Sequence, residues 1–422
     1  MRVHSPALAS KGFVGFCAVQ FFGAANDNIL KQVLLFSLAT GGMWQDALGP
    51  GSQGYVGLAL TLPFVLLSPW FGQFSDKWSK ARVTWAVKVW EVMIALAAWL
   101  AFFLGSPGFA LVCMVMLATQ SALYGPAKYG IIPELVRRDQ IGPASGLVNM
   151  LTNVAIIGGT ALAGPVAIAY RDGATWAPGL ALCVVALAGL AACLALPTLR
   201  AHAAHLRIRP DVVRCLLRSQ WELRQTPVFL VALLDGGFYF IGMLGILGLP
   251  DFQSPVSGGL SIEQITIALV AMSVAVGIGG LAAGAACRRT IRPRLVPLGC
   301  AAMAAGFGAV GLLPVEPWRL VAWLFVGGLG AGVVIVVVQT MLLHMIAEHE
   351  RGRVLGAVNT LSFLFMAGAS VLYTVLRQPE LGAMSAQQTF VACALLAIPG
   401  LFAAGALSRR LRVTLASTSN AS

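Results

Sequence analysis

Long apolar runs alternate with short polar gaps along the whole chain, and the runs share one length. Stretches of roughly 20 residues, the length a helix needs to cross about 30 Å of hydrocarbon, fall near residues 13–39, 53–75, 83–104, 108–129, 141–169 and 175–197. After a polar gap the pattern resumes near 227–249, 261–287, 293–314, 317–341, 351–376 and 386–408. It predicts an all-α membrane protein of twelve transmembrane helices in two six-helix bundles, over 1–197 and 227–408. A cytoplasmic Arg-rich linker over 198–226 joins them, and a cytoplasmic tail covers 409–422. With 58% hydrophobic and only 10% charged residues, the 422-residue chain is outside the range of ordinary soluble proteins.

Charge fixes the expected orientation, because basic residues are retained on the cytoplasmic side. One set of connections carries Lys77, Lys80, Arg82, Arg137, Arg138, six arginines between Arg200 and Arg224, Arg288, Arg289, Arg292, Arg294, Arg351 and Arg353. The alternate set carries Arg171, Arg319 and Arg377. Both termini are therefore expected in the cytoplasm. The net charge of +12 reflects this asymmetry rather than nucleic-acid binding, and a basic inner face favours anionic membrane lipids. No short hydrophobic run with a small-residue cleavage site precedes the first span, so an uncleaved N-terminus is expected. The eight cysteines lie mostly within apolar runs without C-x-x-C spacing, which points to packing rather than metal or disulfide chemistry. His202 and His205 have a ligand-like spacing but no third ligand in view, so no metal and no cofactor are expected.

The halves repeat. Gly72, Asp76, Lys77, Lys80 and Arg82 after the second run match Gly284, Arg288, Arg289, Arg292 and Arg294 after the eighth, 212 positions on. Gly146-Leu147-Val148-Asn149 is answered by Gly356-Ala357-Val358-Asn359, 210 positions on. Two matches at nearly one offset argue for a duplicated six-helix unit, a design that puts a substrate site between parallel halves near the midplane. The pattern G-x-x-x-D-[RK]-x-x-[RK]-x-R over 72–82 resembles the signature loop of the major facilitator superfamily. Gly72 would allow close helix approach, while Asp76 with Lys77, Lys80 and Arg82 would lock and release a cytoplasmic gate. Plain positive-inside anchoring is the other reading of the same charges.

Candidate chemistry begins in the first span, where Gly23-Ala24-Ala25-Asn26-Asp27-Asn28-Ile29-Leu30-Lys31 interrupts an apolar run. Ionisable groups at membrane depth cost about 3 kcal/mol on insertion scales and mark interiors, cavities or pathways. Gly23, Asp27 and Lys31 are spaced i, i+4, i+8 and share one helix face, offering an anion and a cation to a zwitterionic headgroup with room beside Gly23. Asn26 and Asn28 point to different faces, so one of them reaches the cavity. Lys128 stands between Gly125-Pro126 and Gly130, where helix-breaking residues would make a hinge and a phosphate site. Lys88 and Glu91, one turn apart, read as a structural pair. In the second half, Asp235 is the buried acid, with Tyr239 and Phe240 beside it as acyl-chain contacts or ordinary aromatic packing. The glycines at 277, 280 and 284 and at 327, 328, 330 and 332 suit either sliding or tight static helix contacts.

Three blocks narrow the resemblance: Gln20-Phe21-Phe22-Gly23-Ala24-Ala25-Asn26-Asp27-Asn28, Tyr124-Gly125-Pro126-Ala127-Lys128-Tyr129-Gly130-Ile131-Ile132-Pro133-Glu134-Leu135 and Glu350-Arg351-Gly352-Arg353-Val354. Together they resemble the bacterial lysophospholipid transporter family. That resemblance implies a flippase of the bacterial inner membrane that moves lysophospholipids, such as lysophosphatidylethanolamine, from outer to inner leaflet for reacylation by alternating access. The substrate site expected from this chain's own polar residues draws on Asp27, Lys31, Asn26, Lys128, Asp235 and Tyr239. Relatives with a basic residue in the seventh helix and an acid in the eighth differ from this chain, which has Asp235 in the seventh. None of the five histidines begins an H-x-x-x-x-D acyltransferase motif, so acylation would fall to a separate acyltransferase partner. A proton-coupled drug or metabolite exporter of the same fold, using Asp27 and Asp235 as acids, is the alternative. An embedded enzyme is disfavoured for want of a nucleophile–base pair.

Overall fold

A computed structural model of the chain describes residues 8, 10–199, 211–288, 290–346, 350–403 and 407. Within its helices, the side chains of residues 69, 72, 75, 76, 129, 138, 351 and 352 are outside the description. The described residues form α1 (Lys11–Leu38), α2 (Gln53–Lys77), α3 (Lys80–Phe103), α4 (Pro107–Leu135), α5 (Ile141–Arg171) and α6 (Ala177–Ala192). They continue as α7 (Val212–Arg224), α8 (Phe229–Gly248), α9 (Ile262–Ala286), α10 (Leu295–Leu312), α11 (Pro317–Met345), α12 (Arg351–Leu376) and α13 (Ala386–Leu401), with short 3-10 turns between some of them. Nine segments among the described residues, in α3 to α6 and α8 to α12, are long and apolar enough to cross a membrane. Gln53–Ser68 within α2 and α13 are shorter apolar helices. Together with α1, whose polar block dilutes its hydropathy, these account for the twelve transmembrane helices the runs predict.

The thirteenth helix, α7, lies inside the stretch expected to be an Arg-rich linker. Its residues alternate with a helical period: Leu223 is buried, whereas Val213, Leu217 and Trp221 stand exposed at 63%, 65% and 61% on a neighbouring stripe. Two contacts fasten it to the start of α12. Gln220 donates to the Ala357 carbonyl at 3.0 Å, and the Glu222 carboxylate accepts from Arg353 at 2.5 Å and from Arg218 at 2.8 Å. Hydrogen bonding from Arg218, then Arg353, holds the Glu222 carboxyl below its ordinary value.

Contacts divide the chain into two compact units: Met1–Ser37 with Leu62–Cys215, and Leu38–Thr61 with Leu216–Ser422. In unit 1, α3 packs against α4 and α6. A core of Phe13, Phe16, Val87, Ile131 and Val148 is almost wholly buried. In unit 2, α11 packs against α9 and α10, α10 against α13, and α8 against α12. The α11 glycines serve close static contact: a Cβ on Gly328 would come within 2.6 Å of the Met272 carbonyl of α9, and one on Gly332 would collide with the carbonyl of Val276. Capping boxes start two of these helices, with Ser261 and Gln264 at α9 and Ser385 and Gln388 at α13.

Residues 38–61, which the run pattern assigns to the first bundle, belong to unit 2 by contact. The reason is a buried acid in the 3-10 turn Leu249–Gln253. Asp251 is 1% exposed. Its Oδ1 accepts from the Thr40 backbone N–H at 3.1 Å and the Gln53 amide at 2.6 Å, while its Oδ2 accepts from the Tyr373 hydroxyl and the Arg377 guanidinium. Thr374 also donates to the Gly51 carbonyl at 3.1 Å. Arg377 reads in sequence as a loop charge; in the structure it is the counter-ion of a carboxylate with four donors.

Candidate functional site

The polar block of α1 faces two ways. One face turns into unit 1 and is used up there. Lys88 and Glu91 of α3, each 1% exposed, form an ion pair at 2.5 Å, as their spacing predicts. Glu91 also accepts from the Asn26 amide at 3.2 Å and from the Gln120 amide at 3.2 Å. Gly23 is where the Lys88 ammonium fits, since a Cβ there would lie 2.5 Å from Nζ. The room beside Gly23 is therefore filled by the protein's own cation and not left for a headgroup. Asn26, expected at the substrate, is 1% exposed with its amide committed to Glu91. The partners Asn26 and Gln120 come from different helices, which is why spacing along one helix gave no sign of them.

The other face carries Asp27, half-buried, whose Oδ2 accepts from the Ser121 hydroxyl of α4 at 2.8 Å. Lys31, also half-buried, donates to Asn28 Oδ1 at 2.7 Å. Among the described residues no ion pair joins Asp27 to Lys31, but Asp27 acts electrostatically on both Lys31 and Lys128. The Lys128 ammonium lies 3.5 Å from Thr152 Oγ1 of α5, and the Gln20 amide donates to the same hydroxyl at 3.2 Å. α1 and α4 thus bring Lys31 and Lys128 each into electrostatic reach of Asp27, with Gln20, Ser121 and Thr152 of α5 as neutral neighbours. Because Lys88 already neutralises Glu91, the accessible set is one anion and two cations.

Lys128 does not stand at a broken helix. α4 runs through Pro126 and Pro133 without interruption. Pro126 lacks the N–H that would bond the carbonyl one turn back, leaving that of Ala122 without its helical donor.

The remaining expected residues are placed elsewhere. Asp235 and Tyr239 lie on α8 in unit 2, the acid 2% exposed and the tyrosine half-buried. Of the expected gate, Lys80 pairs with Glu134 and packs over Gly130. Lys77 sits 5.7 Å from the Trp78 ring and Arg82 is exposed. Gly72 and Asp76 lie in α2 with their side-chain surroundings outside the description, and His202 and His205 lie outside the described residues.

Polar helix faces inside an otherwise apolar multi-helix chain do not by themselves name a function, and sequence comparison supplies the family. The profile of the Major Facilitator Superfamily matches residues 13–370. The chain belongs to that superfamily. Curated relatives include the lysophospholipid transporter LplT of Yersinia enterocolitica, 29% identical over 293 residues, with 65% of each chain aligned. LplT of Citrobacter koseri is 30% identical over 285 residues, covering 65% of this chain and 66% of its own. The chain thus aligns with slightly less than two thirds of those relatives' length. Among solved structures, the nucleoside transporter NupG superposes with a TM-score of 0.70 at 13% identity, covering 94% of this chain and 99% of its own. A bacterial homologue of the lysosomal transporter Spinster gives 0.69 at 14% identity, over 96% and 99%. Identities this low speak to the fold alone. The chain is a multi-pass membrane protein of a transporter superfamily, similar over much of its length to proteins named for lysophospholipid transport.

Proposed function

We propose that this protein moves lysophospholipids from the outer to the inner leaflet of a bacterial inner membrane by alternating access, with both termini in the cytoplasm and acylation left to a partner enzyme. The observation that carries the reading is the accessible set of Asp27, Lys31 and Lys128 in unit 1. A lysophosphatidylethanolamine headgroup has one ammonium and one phosphodiester. Asp27 is the acceptor for the first; Lys31 and Lys128 are cations for the second. Lys31 spends one of its three hydrogens on Asn28 and keeps two for a phosphate oxygen. Similarity to the LplT proteins supports the same substrate class.

The test is equilibrium binding of lysophosphatidylethanolamine to purified protein in detergent. Asp27→Asn keeps the shape and removes the charge. A charge-assisted hydrogen bond contributes about 1.5–3 kcal/mol, so affinity should fall by roughly 10- to 100-fold. Wild-type affinity together with wild-type transport in that variant would show Asp27 to be structural. The segment over 72–82, the end of α2 and the start of α3, is proposed as the cytoplasmic gate on its sequence. Asp76→Ala should slow leaflet transfer while leaving lipid affinity intact, and lost affinity with unchanged transfer would reverse that assignment.

A further inference from the structure

α7 is the element that the transport reading leaves without a task. Its 13 residues carry three arginines against one acid. Val213, Leu217 and Trp221, spaced i, i+4, i+8, share one stripe of the helix, and all three side chains are exposed. The Trp221 indole N–H has no hydrogen-bond partner among the described residues. Arg214, Arg218 and Arg224 are exposed on and beside that stripe. Arg214 lies 4.0 Å from Asp211, and Arg218 Nε donates to Glu222 at 2.8 Å. Exposed ion pairs of this kind contribute little, so they do not keep the guanidinium groups from a stronger anion.

The level at which α7 lies follows from the spans around it. Residues 225–228 separate Arg224 from Phe229, where the apolar span of α8 begins. At no more than about 3.5 Å per residue, that connection reaches roughly 18 Å at most. The second half of α7 is also tied to the start of another span. Glu222 accepts from Arg353, the first residue of the apolar span in α12, at 2.5 Å. Gln220 donates to the Ala357 carbonyl at 3.0 Å, about 6 Å further along that span at the helical rise. A helix fastened where a span begins lies in the headgroup layer rather than out in water.

This placement decides what covers the stripe. A stable protein interface buries about 800 Å² on each partner, more than three apolar side chains on one short helix supply. A bilayer is already present at that level. Its acyl boundary takes leucine and valine, its headgroup region suits the amphipathic indole of tryptophan, and its phosphates attract arginine.

We infer that α7 is an in-plane interfacial helix, with Val213, Leu217 and Trp221 entering the headgroup–acyl boundary and Arg214, Arg218 and Arg224 binding anionic phospholipids of that leaflet. This goes beyond the lysophospholipid reading and does not depend on it, since these lipids are bound in place and not carried. The test is photocrosslinking of the full-length protein in nanodiscs made of equal parts phosphatidylethanolamine and phosphatidylglycerol. Leu217→benzoylphenylalanine and Trp221→benzoylphenylalanine are illuminated separately and the adducts weighed by mass spectrometry. The expected result is phospholipid adducts at both positions with phosphatidylglycerol over-represented, and loss of that preference, but not of the adducts, when Arg214→Gln and Arg218→Gln are added. A second measurement needs no variant: at pH 7, wild-type hydrogen exchange over 212–224 should be about 5-fold slower in discs containing phosphatidylglycerol than in phosphatidylcholine discs, the effect of one arginine at an anionic surface. Absence of lipid adducts at both positions would overturn the proposal and leave a water-exposed or protein-docking face. Adducts in the bulk proportion, with exchange indifferent to phosphatidylglycerol, would overturn the assignment to anionic lipid. No lysophospholipid is present, so failure here leaves the transport reading standing, and failure of transport leaves the adducts.

Discussion

At the scale of single residues, a charge withdrawn from water has to find its match within hydrogen-bond reach, and this protein meets that demand differently at each site. Lys88 and Glu91 match each other and take Asn26 and Gln120 as further donors. Removing one member of such a buried pair costs about 3–5 kcal/mol, whereas replacing both with apolar residues of similar volume is near neutral. Glu91→Leu should therefore lower the thermal unfolding midpoint in detergent sharply, and Lys88→Met with Glu91→Leu should recover most of it. A double variant no more stable than the single one would argue that the pair does more than neutralise itself. By the same physics Asp251→Ala, which strands Arg377 and leaves three other donors without their acceptor, should destabilise by a similar amount. The Lys88–Glu91 pair was legible because both partners lie on one helix at a fixed spacing. Asn26, Gln120 and the filling of the Gly23 notch were not, since they depend on which faces of α1, α3 and α4 meet. Asp251 was not legible for a related reason: its four donors come from three places in the chain, Thr40, Gln53 and the end of α12 with Tyr373 and Arg377, that no local pattern connects.

At the scale of elements, hydrophobic run length carried nearly all the information, because a helix that must cross hydrocarbon announces itself by 20 apolar residues. The exception is α7, whose alternating apolar and basic residues read as a polar gap when only run length is considered. Its helical period was present in Val213, Leu217 and Trp221 all along. The attachment of α7 to α12 through Glu222 has a pH signature. Glu222 is held below its ordinary value of 4.5 by Arg218 and Arg353, so the attachment is fully present above that pH and weakens as pH falls through the lower folded value. Hydrogen exchange over 212–224 should be flat in its protection from pH 8 to about 5, after correction for intrinsic rates, and should rise below about pH 4.5. Glu222→Gln should show the faster exchange already at pH 7. Protection unchanged in that variant would mean Gln220 and the buried Leu223 hold α7 alone.

At the scale of the whole molecule, the twelve spans and the half-chain repeat agree with the match to the major facilitator superfamily. What the chain carries is harder to read than how it folds, because the fold is shared by carriers of nucleosides, peptides and lipids, while selectivity rests on a few polar side chains. Orientation is directly testable. A cysteine placed beside Arg214 should be shielded from impermeant thiol reagents in intact cells and react after permeabilisation; labelling in intact cells would invert the proposed topology. The most direct test of the central claim is leaflet transfer of fluorescent lysophosphatidylethanolamine in proteoliposomes containing the purified protein. The account predicts transfer well above protein-free vesicles in the wild type and at least about 10-fold slower transfer in Asp27→Asn. Wild-type transfer no faster than empty vesicles, alongside proton-driven uptake of a soluble cation, would contradict it and make the protein an exporter-type carrier instead.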